Sequence, residues 1–194
     1  MITLRPATDT DLPLLVRLRD DAARWMIRQG IQQWRPGDFG EEHFRRVREY
    51  GEVWVAEAGA ADAGGVGAAV AEDRPRPVIG AFELWWEDED AWGVQPPVAG
   101  YVHRLMVDRE VATPGAGRLL LGAAERRVAE TGRELVRLDC LATNERLNAY
   151  YENAGYRAVG HKSGKPQAGG PPRSFTLREK SLTAKSPTDE SVHE

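Results

Sequence analysis

Apolar residues recur along this chain at spacings that predict a regular series of short strands and helices. Alternating or continuous apolar positions predict seven strands, over residues 2–5, 53–56, 78–86, 100–107, 135–141, 157–161 and 175–178. Apolar positions three and four apart predict helices over residues 12–26, 41–50, 116–131 and 145–153. Asp9 or Thr10 is expected to cap the first of these helices. The order is strand, two helices, three strands, helix, strand, helix, two strands.

This order predicts an α/β (α+β) sandwich around one mixed sheet. A chain of 194 residues is long enough for one well-buried core and short for two ordinary domains. We therefore expect a single domain over residues 1–180, followed by a polar, disordered tail over residues 181–194. Residues 59–77 are expected to form a loose hairpin connection, and residues 162–174 a mobile flap.

Composition and charge narrow the classes of function. The formal net charge of −4 provides no positive field for nucleic acid or for an anionic membrane. No apolar run reaches the roughly 18 residues of a membrane span, and the N-terminus lacks the apolar stretch of a secretion signal. The single cysteine, Cys140, rules out an internal disulfide and argues against a thiolate metal cluster. The expected location is the cytoplasm, with no metal, and a homodimer is left open.

A turn with two glycines follows the fourth predicted strand. Gly115 and Gly117 lie in Ala112-Thr113-Pro114-Gly115-Ala116-Gly117-Arg118, which joins Val107 to the next helix. Main-chain N–H groups in such a turn, together with a helix N-terminus, can surround an anion, and Arg118 can reach a phosphate. A tight strand-to-helix turn without a ligand explains the glycines equally well.

A second motif follows the fifth predicted strand. Asn144 is followed by Tyr151 seven residues later and by Gly155-Tyr156 four residues after that. With the glycine turn at its correct distance upstream, this spacing resembles the GNAT superfamily of N-acetyltransferases. The match is specific between residues 101 and 156. The turn departs from the family pattern at Ala112, where Arg or Gln is usual, and at Pro114, which has no N–H donor.

The resemblance implies a fold, a co-substrate and the residues that bind it. The fold is a mostly antiparallel central sheet of about seven strands flanked by about four helices, and the co-substrate is acetyl-CoA. The main chain of the fourth strand would bind the pantetheine arm, and the glycine turn the pyrophosphate. The implied contacts are Leu105, Met106, Val107, Ala112, Thr113, Gly115, Ala116, Gly117, Arg118, Asn144 and Tyr151.

Tyr151 is the residue that the resemblance implies as general acid for the departing CoA thiolate. Helical spacing places Tyr151 on one face with Leu147 and Ala154, whereas Tyr150 falls on a more polar face. An aromatic residue packed in the core is the alternative interpretation of Tyr151.

An attacking amine must also lose a proton. Strand alternation puts His103 on one face with Tyr101, Leu105 and Val107, and an imidazole suits a base at neutral pH. A structural histidine explains the same residue equally well. Glu83 on the third strand is the alternative base, acting through water, although a solvated strand carboxylate is the simpler interpretation.

Aromatic residues mark the acceptor side. The expected acceptor-binding residues are Trp34, Glu83, Trp85 and Tyr101. We expect a small-molecule amine as the acceptor. The alternatives are a protein or peptide amine, and a non-catalytic acyl-CoA-binding regulator with the same fold.

Overall fold

The computed structural model describes residues 2–59, 76–167 and 170–183. Seven strands form one sheet: β1 (Ile2–Pro6), β2 (Gly51–Ala58), β3 (Val78–Trp85), β4 (Ala99–Val107), β5 (Leu135–Leu141), β6 (Arg157–Gln167) and β7 (Gly170–Ser181). The helices are α1 (Leu12–Arg28), α2 (Glu41–Tyr50), α3 (Glu89–Trp92), α4 (Ala116–Glu130) and α5 (Glu145–Asn153), and a 3-10 turn (Asp9–Asp11) precedes α1.

The sheet order is β1-β2-β3-β4-β5-β7-β6, and every neighbouring pair is antiparallel except β4 and β5. The prediction of a mixed, mostly antiparallel sheet of about seven strands is therefore confirmed. The four predicted helices are all present. The short helix α3 is an addition, and it begins where Asp88 accepts a hydrogen bond from the main-chain N–H of Ala91 at 3.2 Å.

Two apolar clusters cover the two faces of the sheet. On one face, Leu12, Leu15 and Leu18 of α1 pack with Phe44 and Val47 of α2. On the other face, the buried residues of α4 and the end of α5 pack on β3, β4 and β5; they include Leu120, Leu121, Ala124, Val128 and Ala154. Burying one such leucine contributes roughly 1.5–3 kcal/mol, so these stripes fix the helices on the sheet.

Gly80 permits one close approach within this core. A Cβ atom at that position would lie 2.5 Å from the Met106 carbonyl oxygen and 2.6 Å from Leu120 Cδ1. Any larger residue would push β4 and α4 away from β3. The glycine therefore allows β3 to lie close to both β4 and α4.

The C-terminal region differs from its prediction. Strands β6 and β7 are longer than the predicted strands 157–161 and 175–178, so residues 162–167 and 170–174 of the predicted flap belong to strands, and residues 168–169 lie outside the described residues. The predicted tail also starts too early. Ser181 ends β7, and the Leu182 N–H donates to the Glu134 carbonyl at 2.8 Å. Residues 184–194 of the predicted tail and residues 60–75 of the predicted hairpin connection lie outside the described residues.

Candidate active site

Strand β4 is paired with β5 only where it begins. The parallel ladder joins Ala99 to Leu135 and ends with Tyr101 opposite Arg137. Beyond this point the described part of β5 pairs with β7 alone, and the edge of β4 facing β5 opens. Leu105, Met106 and Val107 lie on this open stretch, where the main chain can bind an extended ligand as another strand would.

A bulge changes the direction of side chains along β4. His103 lies opposite Glu83 and Met106 opposite Ala81, so β4 carries one extra residue between these pairs. Arg104 takes a positive φ of 44°, a conformation that residues other than glycine rarely adopt. The sequence-based alternation did not include this bulge.

The predicted common face of Tyr101, His103, Leu105 and Val107 is therefore wrong. Leu105 and Val107 pack against the cluster under α4. His103 stacks on Trp85 on the opposite face, with ring centroids 3.9 Å apart. The base candidate and the thioester-binding segment thus lie on either side of the bulge.

The turn before α4 has the form that an anion site requires. Gly115 adopts a left-handed conformation with φ 90° and caps the helix without a side chain. The N–H of Arg118 donates to the Gly115 carbonyl at 2.9 Å, whereas the Gly117 N–H has no hydrogen-bond partner among the described residues. That free donor lies at the positive end of a 15-residue helix.

Asp108 holds the rest of the turn in place. The Ala112 N–H donates to the Asp108 carbonyl at 2.8 Å, and the Asp108 carboxylate, which is buried, accepts from Arg17 at 3.0 Å. Thr113 and Arg118 are exposed, while Ala112 is partly buried against the α4 cluster. The predicted phosphate-binding residues therefore form one surface, with its loop held by an ion pair to α1.

Tyr150 and Tyr151 both pack against the cluster between α4 and α5. The rings lie 5.3 Å apart and nearly perpendicular to each other. Burial, followed by the nearby Cys140, raises the pKa of the Tyr151 phenol, which keeps it protonated at neutral pH. A protonated phenol is the form that can donate to a thiolate.

Tyr150 does not lie on the more polar face that helical spacing predicted. Its hydroxyl is buried and has no hydrogen-bond partner among the residues that the structure describes, and a Cβ atom at Gly117 would lie 3.5 Å from it. The N-terminus of α4 packs close to α5, and this packing turns Tyr150 toward the glycine turn.

Asn144 caps α5. Its Oδ1 accepts from the Leu147 N–H at 3.1 Å, so the motif residue has a structural role whether or not it also contacts a ligand. The sequence analysis missed Asn148, whose amide donates to the Leu141 carbonyl at 3.0 Å and accepts from Arg178 at 3.1 Å. These bonds fix α5 to the end of β5.

Glu83 is fully buried, which overturns its interpretation as a solvated carboxylate. It accepts hydrogen bonds from His43 Nε2 at 3.0 Å and from Trp85 Nε1 at 2.9 Å, and Arg104 Nη1 lies 2.7 Å away. Burial by itself would raise the pKa of Glu83, but the His43 bond and the Arg104 charge outweigh it, so the pKa lies below the ordinary range. A carboxylate stabilised in this way is a poor proton acceptor.

A pocket of about 430 Å³ opens above Glu83 on the α2 face of the sheet. We call it the basic pocket; its lining includes Phe39, His43, Arg46, Tyr50, Trp85 and Arg104. The sequence analysis expected Trp85 here and missed the others. His43, Arg46 and Tyr50 recur at spacings of three and four along α2, on a different face from the buried Phe44 and Val47. This polar stripe can be recognised in the sequence.

His103 lies beside two carboxylates. Its Nε2 is 3.2 Å from Asp88 Oδ2, and both side chains are largely buried. One ligand atom each from Asp88, His103 and Asp139 fall within 4.8 Å of one another. Sequence spacing gives no signal for this cluster, because Asp88 precedes α3, His103 lies on β4 and Asp139 lies on β5.

The acidic segment around Asp88 lines a second pocket of about 410 Å³, together with Tyr50, Trp85 and Trp86. Its acidic residues are Glu87, Asp88, Glu89 and Asp90. Asp88 caps α3 and is buried, so the start of this helix holds the acidic segment in place.

Two expected acceptor residues lie elsewhere. Trp34 packs against the α1 and α2 cluster, with the Arg19 guanidinium 5.6 Å from its ring, and it does not line the basic pocket. Tyr101 is 2% exposed, and its hydroxyl accepts from Arg137 at 3.1 Å. Both are held by core contacts, because their strand and loop positions face inward.

Comparison with known proteins assigns this architecture. The sequence model of the Acetyltransferase (GNAT) family matches residues 24–156. An uncharacterized N-acetyltransferase, YesJ of Bacillus subtilis, is 28% identical over 157 residues, which span 80% of this chain and 81% of that protein.

Solved structures share the fold. A GNAT-family acetyltransferase from Listeria monocytogenes superposes with a TM-score of 0.69 at 26% identity, covering 93% of this chain and 95% of the other. The yncA acetyltransferase of Salmonella typhimurium, solved with its cofactor acetyl-CoA, gives a TM-score of 0.62 at 13% identity over 98% and 99% of the two chains. None of the helices in the described ranges has the length and apolar composition of a membrane span.

Proposed function

Because the chain belongs to the GNAT family of acetyltransferases, we propose that it transfers the acetyl group of acetyl-CoA to the primary amine of a small molecule. The observation that carries this proposal is the position of the open β4 edge. The edge at residues 105–107 leads into the glycine turn at one end, and the bulge at Arg104 joins it to the basic pocket. A thioester bound at this edge would lie beside an acceptor in the pocket.

Acetyl-CoA is bound mainly by main-chain groups in this proposal. The free Gly117 N–H, the N-terminus of α4 and the exposed Arg118 bind the pyrophosphate. The open main chain of Leu105, Met106 and Val107 pairs with the pantetheine arm. One N–H of this segment donates to the thioester carbonyl as negative charge develops on its oxygen.

The reaction is a direct attack within a ternary complex. The amine nitrogen forms a bond to the thioester carbonyl carbon and gives up one proton, and the carbon–sulfur bond then breaks. The sulfur leaves as a thiolate and takes the phenolic proton of Tyr151. The raised pKa of Tyr151 keeps the phenol protonated, so that its hydroxyl can donate a hydrogen bond to the sulfur as negative charge develops there.

His103 is the proposed base, with Asp88 as its positioning residue. Asp88 Oδ2 lies 3.2 Å from His103 Nε2, so this carboxylate would stabilise the imidazolium that forms when His103 takes the amine proton. Glu83 is the weaker candidate, because its oxygens already accept from His43 and Trp85 and pair with Arg104.

The dimensions of the basic pocket support a small acceptor. A volume of about 430 Å³ falls in the range of pockets for small molecules, and its lining combines the aromatic Phe39, Tyr50 and Trp85 with charged side chains.

The test is release of free thiol from acetyl-CoA by the pure protein. A panel of small primary amines is compared with peptides that carry a free N-terminus or a lysine, and mass spectrometry identifies the acetylated product. Amines already N-acetylated serve as matched controls. Turnover with small amines is expected. Turnover confined to peptides would move the function to a protein acceptor, and tight acetyl-CoA binding without any turnover would indicate a regulator.

A further inference from the structure

Charges of opposite sign lie around Trp85. Its indole stacks on His103, which lies next to Asp88 and Asp139. The Arg104 guanidinium lies 5.4 Å from the same ring. Trp85 therefore contacts both a histidine with carboxylate neighbours and a cationic residue of the basic pocket.

The basic pocket carries an uncompensated positive charge. Arg104 is neutralised by Glu83, and Asp38, which also lines the pocket, by Arg19 at 2.8 Å. Arg46 is exposed on α2 and forms no ion pair within the described ranges. The N-terminus of α2 at Gly40 adds partial positive charge to the same space.

Arg46 and Arg104 both line this pocket together with Tyr50. Burial and the charge of Glu83 raise the pKa of the Tyr50 phenol, and the charges of Arg104 and Arg46 both act against that shift. Arg104 is also held between Phe39, at 4.8 Å, and Trp85, so its direction is fixed. An anion beside Tyr50 would thus meet one guanidinium that is preorganised and one that is free.

We propose that the acceptor is an amino acid or a similar small amine that carries a carboxylate. The carboxylate binds to Arg46 and Arg104 in the basic pocket. The ammonium group lies across Trp85, toward His103 and its two carboxylate neighbours, where it loses a proton before attack. One uncompensated charge matches a carboxylate better than a doubly charged phosphate. This inference rests on the proposed function and specifies its substrate class.

Matched pairs of acceptors test this proposal. Each of the common amino acids is compared with the amine left after removal of its carboxylate, for example phenylalanine with phenethylamine, by thiol release. The kcat/KM ratio of the best pair is expected to favour the amino acid by about 10–100-fold, the usual effect of a charge-assisted hydrogen bond. Arg46→Ala should bring this ratio close to one, mainly through a higher KM for the amino acid.

Arg45→Ala is the control, because Arg45 is an equally exposed neighbour on α2 that pairs with Glu42 and does not line the pocket. It should keep the wild-type ratio. Acetylation that favours the amines without a carboxylate, or a ratio unchanged in Arg46→Ala, would overturn the inference and leave the proposed function standing. If no member of the panel is acetylated although acetyl-CoA binds, both fail together.

Discussion

The two sides of the open β4 edge differ in what supplies their binding groups. On the proposed acetyl-CoA side, the groups are main-chain N–H and C=O of β4 and of the turn at Gly115 and Gly117. On the proposed acceptor side they are side chains from α2, β3 and β4, held by the buried carboxylate of Glu83. Main-chain groups can bind acetyl-CoA with little dependence on the side chains around them. The paired side chains of the acceptor side, in contrast, can be replaced when the acceptor is a different molecule.

The largest expected effect comes from Tyr151, the proposed general acid. Tyr151→Phe keeps the ring and removes the proton donor for the thiolate. We expect kcat to fall by about 10²–10⁴-fold, with the Kd of acetyl-CoA nearly constant. Steady-state kinetics and calorimetry measure the two quantities.

Tyr150→Phe is the matched variant for this comparison. The Tyr150 hydroxyl lies beside Gly117, so its removal should affect acetyl-CoA binding by a few-fold at most and leave kcat unchanged. If kcat fell in Tyr150→Phe and stayed normal in Tyr151→Phe, the acid would be assigned to the wrong tyrosine.

The next largest expected effect concerns His103, the proposed base. His103→Ala should lower kcat/KM by about 100-fold and remove the loss of activity on the acidic side of the pH profile. Asp88→Asn, which leaves the imidazole in place but changes its partner, should show a smaller loss and an altered profile. A normal rate and profile in His103→Ala would return His103 to a structural role.

Glu83 is expected to matter for stability as much as for catalysis. Glu83→Gln leaves Arg104, whose side chain is only 16% exposed, without its charge partner. We expect a loss of about 2 kcal/mol in the free energy of unfolding, less than for a fully buried pair. Urea denaturation measures it, with Glu130→Gln at an exposed pair as a control that should change by less than about 0.5 kcal/mol.

The sign of the pH dependence follows from the same contacts. Folding lowers the pKa of Glu83, so its ionised form stabilises the fold fully above the ordinary glutamate pKa. This contribution is lost as the pH falls through the lowered value. The stability difference between wild type and Glu83→Gln should therefore shrink in acid; a difference that grew there would contradict the assignment.

The smallest expected effect is on the acetyl-CoA side. Gly117→Asp places a carboxylate at the phosphate-binding turn, where its Cβ has room at 3.5 Å from the Tyr150 hydroxyl. We expect the Kd of acetyl-CoA to rise about tenfold, because like charges repel and the main-chain donors remain. Gly122→Asp, on the same helix and away from the turn, is the control. An unchanged Kd in folded Gly117→Asp would place the pyrophosphate elsewhere.

The elements that carry the proposed acetyl-CoA site could be located in the sequence, whereas most of the lining of the basic pocket could not, for a physical reason. The glycine turn and the Asn144 to Tyr151 spacing are local patterns, and each is contained in one strand–helix connection. The seven strands and four main helices follow equally from local periodicity.

The acceptor side depends on contacts between distant segments. His43 reaches Glu83 across 40 positions, and Asp88, just before α3, reaches His103 on β4. The bulge at Arg104 reverses the faces of Leu105 and Val107, and its positive φ in a non-glycine residue has no local sequence signal. Such features can be predicted only when the pairing register of the whole sheet is known.

The most direct measurement of the central claim is a crystal structure of the protein with acetyl-CoA. We expect the pyrophosphate to bind at the Gly117 N–H and the pantetheine arm to lie along residues 105–107. The sulfur should lie within hydrogen-bond distance of the Tyr151 hydroxyl, and the acetyl group should face the opening toward Trp85 and His103. Acetyl-CoA bound away from the β4 edge, or with its sulfur beyond reach of Tyr151, would contradict the account.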